Sequence, residues 1–222
     1  ALILAGLVYS GERRIEKAGE GIPSDSALEV RGRDHPWVSR GGVKLAHALD
    51  HFAIDVRDRV ALDIGASTGG FTDVLLTRGA RRVYAVDVGA GQLAWKLRND
   101  PHVVVLERMN ARALSREHIS EPVDIIVCDA SFIGLATILP APLSLIAERA
   151  ALVALIKPQF EAGREAVGKG GIVRDPAIHQ AACARIVDWV AAQPGWRVVG
   201  IAESPIAGAD GNREFLLYAI RG

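Results

Sequence analysis

The stretch that decides the fold is Val60-Ala61-Leu62-Asp63-Ile64-Gly65-Ala66-Ser67-Thr68-Gly69-Gly70-Phe71, an apolar run that ends in a glycine-rich turn. Glycine has no side chain and tolerates unusual backbone dihedrals, so such a turn lets a ligand approach the backbone closely. The next apolar run ends at Asp87, 22 residues beyond Gly65. This is close to the offset of the acid that binds ribose hydroxyls in nucleotide-binding folds. Turn and acid together predict a nucleoside site, whereas the plainer interpretation is a tight strand-to-helix turn with an exposed aspartate.

Apolar runs alternate with helical stretches beyond this turn, which is the pattern of a parallel sheet covered on both faces. The sequence predicts an α/β, Rossmann-like fold whose seven strands are Val60–Ile64, Arg82–Val86, Val103–Leu106, Val123–Cys128, Ala151–Ile156, Trp196–Ala202 and Phe215–Ile220. Only residues 203–214 join the last two strands, too few for a helical crossover, so they should pair antiparallel. Helices are predicted over Gly42–Phe52, from its apolar spacing, and after Asp175-Pro176, a good cap followed by a good first residue.

The length of 222 residues suits one α/β domain with a small appendage, and the 26 basic residues balance 26 acidic ones. A net charge of zero argues against a strongly basic nucleic-acid binder, so an RNA-binding surface would have to be local. Short apolar pieces split by turn residues predict a β-rich appendage over 7–30, followed by a polar linker over 31–36. We therefore expect domains at 1–33 and 34–222. The sequence has no starting Met, so we expect a preceding segment.

Several classes of site are disfavoured by residue spacing. Two cysteines far apart and six histidines without shared spacing predict neither a disulfide framework nor a metal site. The longest uncharged stretch, 130–147, is interrupted by prolines and polar residues, so we expect buried loop and helix rather than a membrane span. The first six residues do not resemble a signal peptide, and a reducing cytoplasm fits this composition.

The glycine turn also allows two other enzyme classes. Gly65, Ser67 and Gly69 match the G-x-S-x-G elbow of serine hydrolases, but that reaction needs a late histidine after a strand, and the last histidine, His179, falls in a predicted helix. An NAD-dependent oxidoreductase remains open, because the turn and Asp87 indicate a nucleoside and not the group that it carries. The residues at the other strand ends are needed to distinguish between these enzyme classes.

Four polar residues are predicted to meet at the edge formed by the carboxyl ends of the parallel strands. Asp129 and Lys157 each follow such a strand, Glu214 precedes the antiparallel strand, and Lys44 lies in the first turn of the helix that leads back to the first strand. A hydroxyl is a poor nucleophile that must be aligned and must lose its proton as a methyl group is transferred to it. An amine beside another cation gives up its proton more readily, while the two carboxylates would hold the lysines in place. The residues leave open which group takes the proton, and strand-end ion pairs without a catalytic role are the plainer alternative.

The sequence resembles the TlyA or hemolysin-A type of ribosomal RNA 2′-O-methyltransferase, with an FtsJ-like catalytic domain. The resemblance is carried by His35-Pro-Trp-Val-Ser-Arg-Gly-Gly-Val-Lys44, Leu62-Asp-Ile-Gly-Ala-Ser-Thr-Gly-Gly-Phe71, Tyr84-Ala-Val-Asp-Val-Gly89, Val127-Cys-Asp-Ala-Ser-Phe132, Leu155-Ile-Lys-Pro-Gln-Phe-Glu161 and Asp210-Gly-Asn-Arg-Glu-Phe215. It implies a Rossmann-like S-adenosylmethionine-dependent methyltransferase fold with a catalytic tetrad of Lys44, Asp129, Lys157 and Glu214. The implied cofactor contacts are Asp63, Gly65, Ala66, Ser67, Thr68, Gly69, Gly70, Phe71, Asp87, Val88, Asn110 and Asp129.

The resemblance also implies a substrate and a second module. It implies methylation of a ribose 2′-hydroxyl of ribosomal RNA, with cytidine expected, and hence ribosomal RNA and ribosomal subunits as partners. Residues 7–30 look like the tail of an S4 RNA-binding module whose opening helices are missing. Neither an apolar span nor a basic amphipathic helix supports the membrane lysis that the hemolysin name suggests. A ribosome-binding factor that retains an inactive methyltransferase fold stays open as an alternative.

Overall fold

The computed structural model describes residues 3, 7–17, 19–23, 26–30, 35–163, 165, 167–208 and 211–222. Most of the predicted linker, at 31–34, and the predicted turn residues at 24–25 and 209–210 lie outside this described part. Contacts divide the chain into two compact units, Ala1–Pro36 and Trp37–Gly222.

The N-terminal unit contains a small antiparallel sheet. Its strands are β1 (Val8–Ser10), β2 (Arg13–Arg14) and β3 (Leu28–Val30), in the order β2-β1-β3. Val8 and Ile15 are its buried apolar side chains among the described residues. This is the short-strand architecture that the turn-rich sequence predicts.

The large unit is an α/β sandwich around a seven-stranded sheet. Its strands are β4 (Val60–Ile64), β5 (Arg82–Val86), β6 (Val103–Leu106), β7 (Val123–Cys128), β8 (Ile146–Ile156), β9 (Trp196–Glu203) and β10 (Phe215–Arg221). Its helices are α1 (Gly41–His51), α2 (Gly70–Thr77), α3 (Trp95–Arg98), α4 (Leu135–Ile138), α5 (Pro140–Leu143), α6 (Pro158–Glu161) and α7 (Pro176–Ala191), with short 3₁₀ turns at Ala111–Ala113 and Lys169–Gly171. The described part of the chain contains no helix that is both long and apolar enough to cross a bilayer.

The sheet order is β6-β5-β4-β7-β8-β10-β9. Neighbouring strands from β6 to β8 pair parallel, and β10 pairs antiparallel with both β8 and β9. The predictions of a mostly parallel seven-stranded sheet and of an antiparallel last strand are confirmed.

One strand begins earlier than predicted. β8 starts at Ile146 and not at Ala151, because exposed Glu148 and Arg149 interrupt the apolar run from which its start was inferred. Residues 146–147 of the stretch predicted as loop and helix therefore belong to a strand. Helix α1 lies one residue earlier than predicted, and the cap of α7 is as expected, since the Asp175 side chain accepts a hydrogen bond from Ala177 N.

Alternate residues of the central strands feed apolar layers on opposite faces. Ile125 and Val127 of β7 pack in the layer with α1 and α2, while Ile126 and Cys128 pack in the layer that includes α7. Both layers are buried, as expected for parallel strands covered on each side. The sheet is thus a rigid base for the loops at its edge.

The order in which strands are added to the sheet reverses at β4. β5 and β6 are added on one side of β4, and β7 and β8 are added on the other side. Ligands in open α/β sheets bind at such a reversal, beyond the carboxyl ends of the strands. The glycine turn after β4 and Asp129 after β7 both lie at this point.

Candidate active site

The glycine turn brings β4 against β7 at their carboxyl ends. Gly65 has φ +81°, and a Cβ there would lie only 3.0 Å from the backbone of Ala130. The amides of Gly65 and Ala66 donate to Val86 O, and Asp129 N donates to Ile64 O at 3.0 Å. A side chain at position 65 would therefore meet both left-handed strain and a backbone contact, which explains the glycine.

Asp87 shapes the loops on either side of it. Its Oδ2 accepts from Ser67 N at 2.8 Å and its Oδ1 accepts from Gly89 N at 2.7 Å. Each carboxylate oxygen has a second lone pair, so both can still accept from a ligand hydroxyl. Ser67 itself has φ +48°, a conformation uncommon outside glycine, and this bond to Asp87 helps to hold it.

A cavity of about 440 Å³ opens at this edge, within the usual range for small-molecule sites. Its wall includes six of the residues predicted to contact a cofactor: Gly65, Ser67, Asp87, Val88, Asn110 and Asp129. Ile64, Met109, Ile133 and Ile138 contribute apolar surface. Asn110 caps the following 3₁₀ turn, because its Oδ1 accepts from Arg112 N.

Six other predicted cofactor residues do not line the cavity: Asp63, Ala66, Thr68, Gly69, Gly70 and Phe71. The structure gives several of them a supporting role. Phe71 is buried in the apolar layer, and a Cβ on Gly70 would lie 2.7 Å from Gly42 N, so this glycine lets α2 pack closely against α1. Motif spacing did not separate residues that face the cavity from residues that shape the turn.

Asp63 is fully buried beneath the turn. Its Oδ2 accepts from Thr72 Oγ1 at 2.6 Å, while its Oδ1 has no hydrogen-bond partner. Burial, reinforced by the charge of Asp129, raises the pKa of Asp63 to about 7. Asp63 therefore ties β4 to α2 rather than reaching a ligand.

Lys44 and Glu214 form a buried ion pair beside this edge. Lys44 is the fourth residue of α1, and its Nζ lies 2.6 Å from Glu214 Oε2 and 3.8 Å from Asp129 Oδ2. The two residues are 8% and 3% exposed. A cation near a helix N-terminus opposes the helix dipole, and these two carboxylates offset that cost.

Asp129 links this pair to the second lysine. Lys157 Nζ lies 2.7 Å from Asp129 Oδ1, as an ion pair outside hydrogen-bond geometry, and donates hydrogen bonds to Ser131 Oγ at 2.8 Å and Asp129 O at 3.3 Å. The four residues thus form a row of alternating charge in the order Glu214, Lys44, Asp129, Lys157. Asp129 belongs both to this row and to the cavity wall.

A glycine leaves room for the Glu214 carboxylate. A Cβ on Gly208 would lie 2.5 Å from Glu214 Oε1, and Gly208 N donates to Asn212 O at 2.9 Å across the turn before β10. Asn212 is buried and binds the 171–173 segment through both ends of its amide, to Val173 N and Gly171 O. The position of Glu214 therefore depends on a loop held by buried contacts.

Sequence reasoning missed two residues at the cavity mouth. Ser131 accepts from Lys157, and Phe132 is 90% exposed with φ +65°. A bulky residue rarely adopts this left-handed conformation, so the surrounding structure must impose it. In the sequence, Ser131 and Phe132 follow closely after Asp129. This position indicates a loop at the site but does not indicate the direction of its side chains.

No metal centre is evident at this edge. Among the residues that the structure describes, no three His, Cys, Asp or Glu side chains are grouped to hold an ion. The contacts described above instead bring together two amines, two carboxylates and a hydroxyl, those of Lys44, Lys157, Asp129, Glu214 and Ser131. This set suits binding a polar ligand and moving a proton.

Comparisons with known proteins place the chain in a family. A model described as FtsJ-like methyltransferase matches residues 37–221. The 16S/23S rRNA (cytidine-2'-O)-methyltransferase TlyA of Mycobacterium tuberculosis is 50% identical over 220 residues, covering 96% of this chain and 82% of that protein. A candidate hemolysin from Streptococcus thermophilus superposes with a TM-score of 0.82 at 43% identity, over 99% of this chain and 80% of that one.

A more distant likeness concerns the fold alone. The O-methyltransferase from Bacillus cereus in complex with SAH (S-adenosylhomocysteine) has a TM-score of 0.56 at 18% identity, over 83% of this chain and 82% of that one. The family match covers the whole of the large sheet and its edge loops. The chain therefore belongs to the FtsJ-like methyltransferase family.

Proposed function

We propose that this methyltransferase transfers the methyl group of S-adenosylmethionine to a ribose 2′-hydroxyl of ribosomal RNA, with cytidine as the nucleoside. The observation that carries the proposal is the shared position of Asp129, which pairs with Lys157 and also lines the cavity. A proton-handling group thus adjoins a ligand site. The rRNA (cytidine-2'-O)-methyltransferase activity of the TlyA relative, which is 50% identical to this chain, supports the same reaction and substrate.

The cavity fits a nucleoside cofactor on its own residues. Gly65 lines the cavity without a side chain, and Asp87 can accept from ribose hydroxyls while it holds Ser67 and Gly89. Asn110 lies on the same wall, and Met109 and Ile138 offer apolar surface against which a base can pack. When bound, S-adenosylmethionine supplies an electrophilic methyl group on a sulfonium centre.

We assign proton transfer to Lys157. Two of its contacts, Asp129 and Ser131, line the cavity, whereas the shortest contact of Lys44 is to Glu214, which does not. Lys157 would take the 2′-hydroxyl proton as the methyl group leaves the donor sulfur and bonds to the 2′-oxygen, and the resulting ammonium would pair with Asp129. Lys44 and Glu214 hold Asp129 in place from the other side, so the reacting groups are oriented before substrate binds.

The exposed Phe132 ring offers a stacking surface for the substrate base. It stands next to Ser131 and packs against Phe160 with ring centroids 5.1 Å apart. Aromatic rings that face solvent are the usual partners of unpaired bases in single-stranded or flipped-out nucleotides. We infer that the target nucleotide leaves its helix and stacks here.

The N-terminal unit is proposed as part of an S4-like RNA-binding module over 1–33, with the catalytic domain over 34–222. Arg13 and Arg14 on β2 are exposed, although Arg13 pairs with Glu20, so their contribution to phosphate binding is modest. Ribosomal subunits are the proposed partners, and we propose a cytoplasmic location because ribosomal RNA is found there.

The test is methyl transfer from radiolabelled S-adenosylmethionine to ribosomal subunits and to free ribosomal RNA. We expect label in 2′-O-methylcytidine after nuclease digestion. Label on a base, or no label on any RNA, would overturn the proposal and favour an inactive ribosome-binding factor if binding persists. Calorimetry distinguishes the proposed methyltransferase from the NAD-dependent oxidoreductase, because the methyltransferase should bind S-adenosylmethionine and should not bind NAD.

A further inference from the structure

Glu161 is a buried carboxyl outside the four-residue charge row, and it bonds the chain two residues beyond the cavity-lining segment 129–133. It ends α6 and is 7% exposed. Its Oε1 accepts from Leu135 N at 2.7 Å, and its Oε2 pairs with Arg185 of α7 at 3.2 Å. A carboxylate taken out of water is costly, so its retention here needs a reason.

The bond to Leu135 N fixes one end of the 129–135 segment. Leu135 is the first residue of α4, and Gly134, the residue before it, provides no side-chain cap. Glu161 therefore supplies an acceptor for one of the backbone amides in the first turn of α4 that have no partner within the helix. Gly134 leaves room for this contact, since a Cβ there would lie 3.2 Å from Glu161 Oε2.

The other end of the same segment is held by the same short piece of chain. Lys157, four residues before Glu161, binds Asp129 O and Ser131 Oγ, and Phe160 packs on Phe132. Residues 157–161 thus contact the 129–135 segment at its start, middle and end. These contacts account for the left-handed backbone of Phe132, because such a conformation persists only where neighbouring residues hold it in place.

We propose that Glu161 is a positioning residue, whose carboxylate anchors Leu135 so that Ser131 and Phe132 are presented to the substrate nucleotide. The inference rests on the proposed function. Burial raises the pKa of the Glu161 carboxyl, while Leu135 N and Arg185 act in the opposite direction.

The first test compares Glu161→Leu with Glu161→Gln, which keeps an acceptor for Leu135 N. Glu161→Leu should speed hydrogen exchange of the Leu135 amide and lower kcat/KM by about tenfold or more, mainly by raising KM for RNA, because misplaced binding groups cost rate. Glu161→Gln should keep the Leu135 exchange rate and kcat/KM within about threefold of the wild type. Arg185→Met should do the same, because the Arg185 side chain is more than half exposed. Equal behaviour of the Leu and Gln variants would overturn the proposal.

A second pair of variants tests the bond from the donor side, and it decides the matter if Glu161→Leu does not fold. Leu135→Pro removes the amide donor, and Leu135→Ala removes most of the same side chain but keeps the donor. Proline suits the first position of a helix, and Gly134 at φ −75°, ψ 147° is compatible with a following proline. The Pro variant should have at least about fivefold lower kcat/KM than the Ala variant; equal values would contradict the anchor.

The readouts separate this inference from the proposed function. Amide exchange at Leu135 and calorimetric S-adenosylmethionine affinity need no methyl transfer. If the wild type methylates no RNA, the proposed function fails while exchange still reports on the anchor. If the wild type methylates RNA and Glu161→Leu leaves exchange and KM unchanged, only the inference fails.

Discussion

Lys44 Nζ lies 2.6 Å from Glu214 Oε2, although the two residues are 170 positions apart in the chain. Both groups are almost completely withdrawn from solvent, so each is compensated chiefly by the other, with Asp129 as a further carboxylate 3.8 Å from the lysine. The pair joins the first helix of the large unit to its last strand. It therefore contributes to stability as well as to the site.

Removing one member of this pair should destabilise the fold more than removing both. Lys44→Met and Glu214→Leu should each lower the free energy of unfolding by about 3–5 kcal/mol, because each leaves an uncompensated buried charge. The double variant should lose less than either single variant, because it leaves neither Lys44 nor Glu214 as an unpaired charge. Urea denaturation of the four proteins measures the coupling, and strict additivity would show that the pair is not energetically linked. Asp50→Asn, in an exposed pair with Arg78, is the control and should change stability by less than about 1 kcal/mol.

Gly208→Ala should reduce methyl transfer without unfolding the protein. The added Cβ would lie 2.5 Å from Glu214 Oε1, so the carboxylate has to move away from its place beside Lys44. We expect kcat to fall about tenfold or more, with circular dichroism unchanged. Gly163→Ala is a matched control, because a Cβ there meets no atom within 4 Å. Equal activity of the two variants would mean that the Glu214 position does not matter for turnover.

Asp63 should make the stability of the wild type depend on pH. Burial raises the pKa of Asp63 to about 7 in the folded state, from 3.8 for a free aspartate. Between these values the folded state binds more protons than the unfolded state, so this contribution is present below about pH 4 and is lost as pH rises to about 7.

The variant Asp63→Asn isolates this effect. It keeps the shape and the bond from Thr72 but cannot ionise, so the fall in stability between pH 4 and 7 should become flatter by up to ~1.4 kcal/mol per pH unit. Thermal or urea unfolding across this range gives the comparison. Parallel curves for the two proteins would mean that Asp63 is not protonated in the folded state.

Phe132→Leu should weaken RNA binding far more than Phe132→Tyr. Leucine keeps an apolar side chain at the exposed position but has no ring to stack on, whereas tyrosine keeps the ring. Stacking of a base on an aromatic side chain contributes about 1–3 kcal/mol, so KM for RNA should rise roughly 5- to 150-fold in the Leu variant only. Steady-state kinetics with RNA as the varied substrate measure this difference. Equal KM values for the Leu and Tyr variants would exclude a stacking role for Phe132.

The sequence predicted the large sheet well because parallel strands buried on both faces leave continuous apolar runs. β4, β5, β6 and β7 have the predicted bounds, whereas the first part of β8 contains charged Glu148 and Arg149, which interrupt the apolar pattern that marks a strand. The tetrad positions followed from the rule that strand ends share an edge.

Finer features of the site depend on side-chain direction. Asp63 belongs to the glycine motif, yet it faces the buried Thr72 and not the cavity. Phe132 and Glu161 lie within motifs recognised from the sequence, but the exposure of one and the bond of the other to Leu135 arise only when β7 and β8 lie side by side. Motifs indicate which loops meet; packing determines which atoms touch.

The most direct test of the account is single-turnover methyl transfer by Lys157→Met with saturating cofactor and RNA. Methionine keeps the length and apolar stem of the side chain but cannot accept a proton. We expect the rate of 2′-O-methyl formation to fall by about 10²–10⁴-fold, the usual contribution of a general base, while the calorimetric affinity for S-adenosylmethionine stays within about threefold of the wild type. A rate within threefold of the wild type would contradict it.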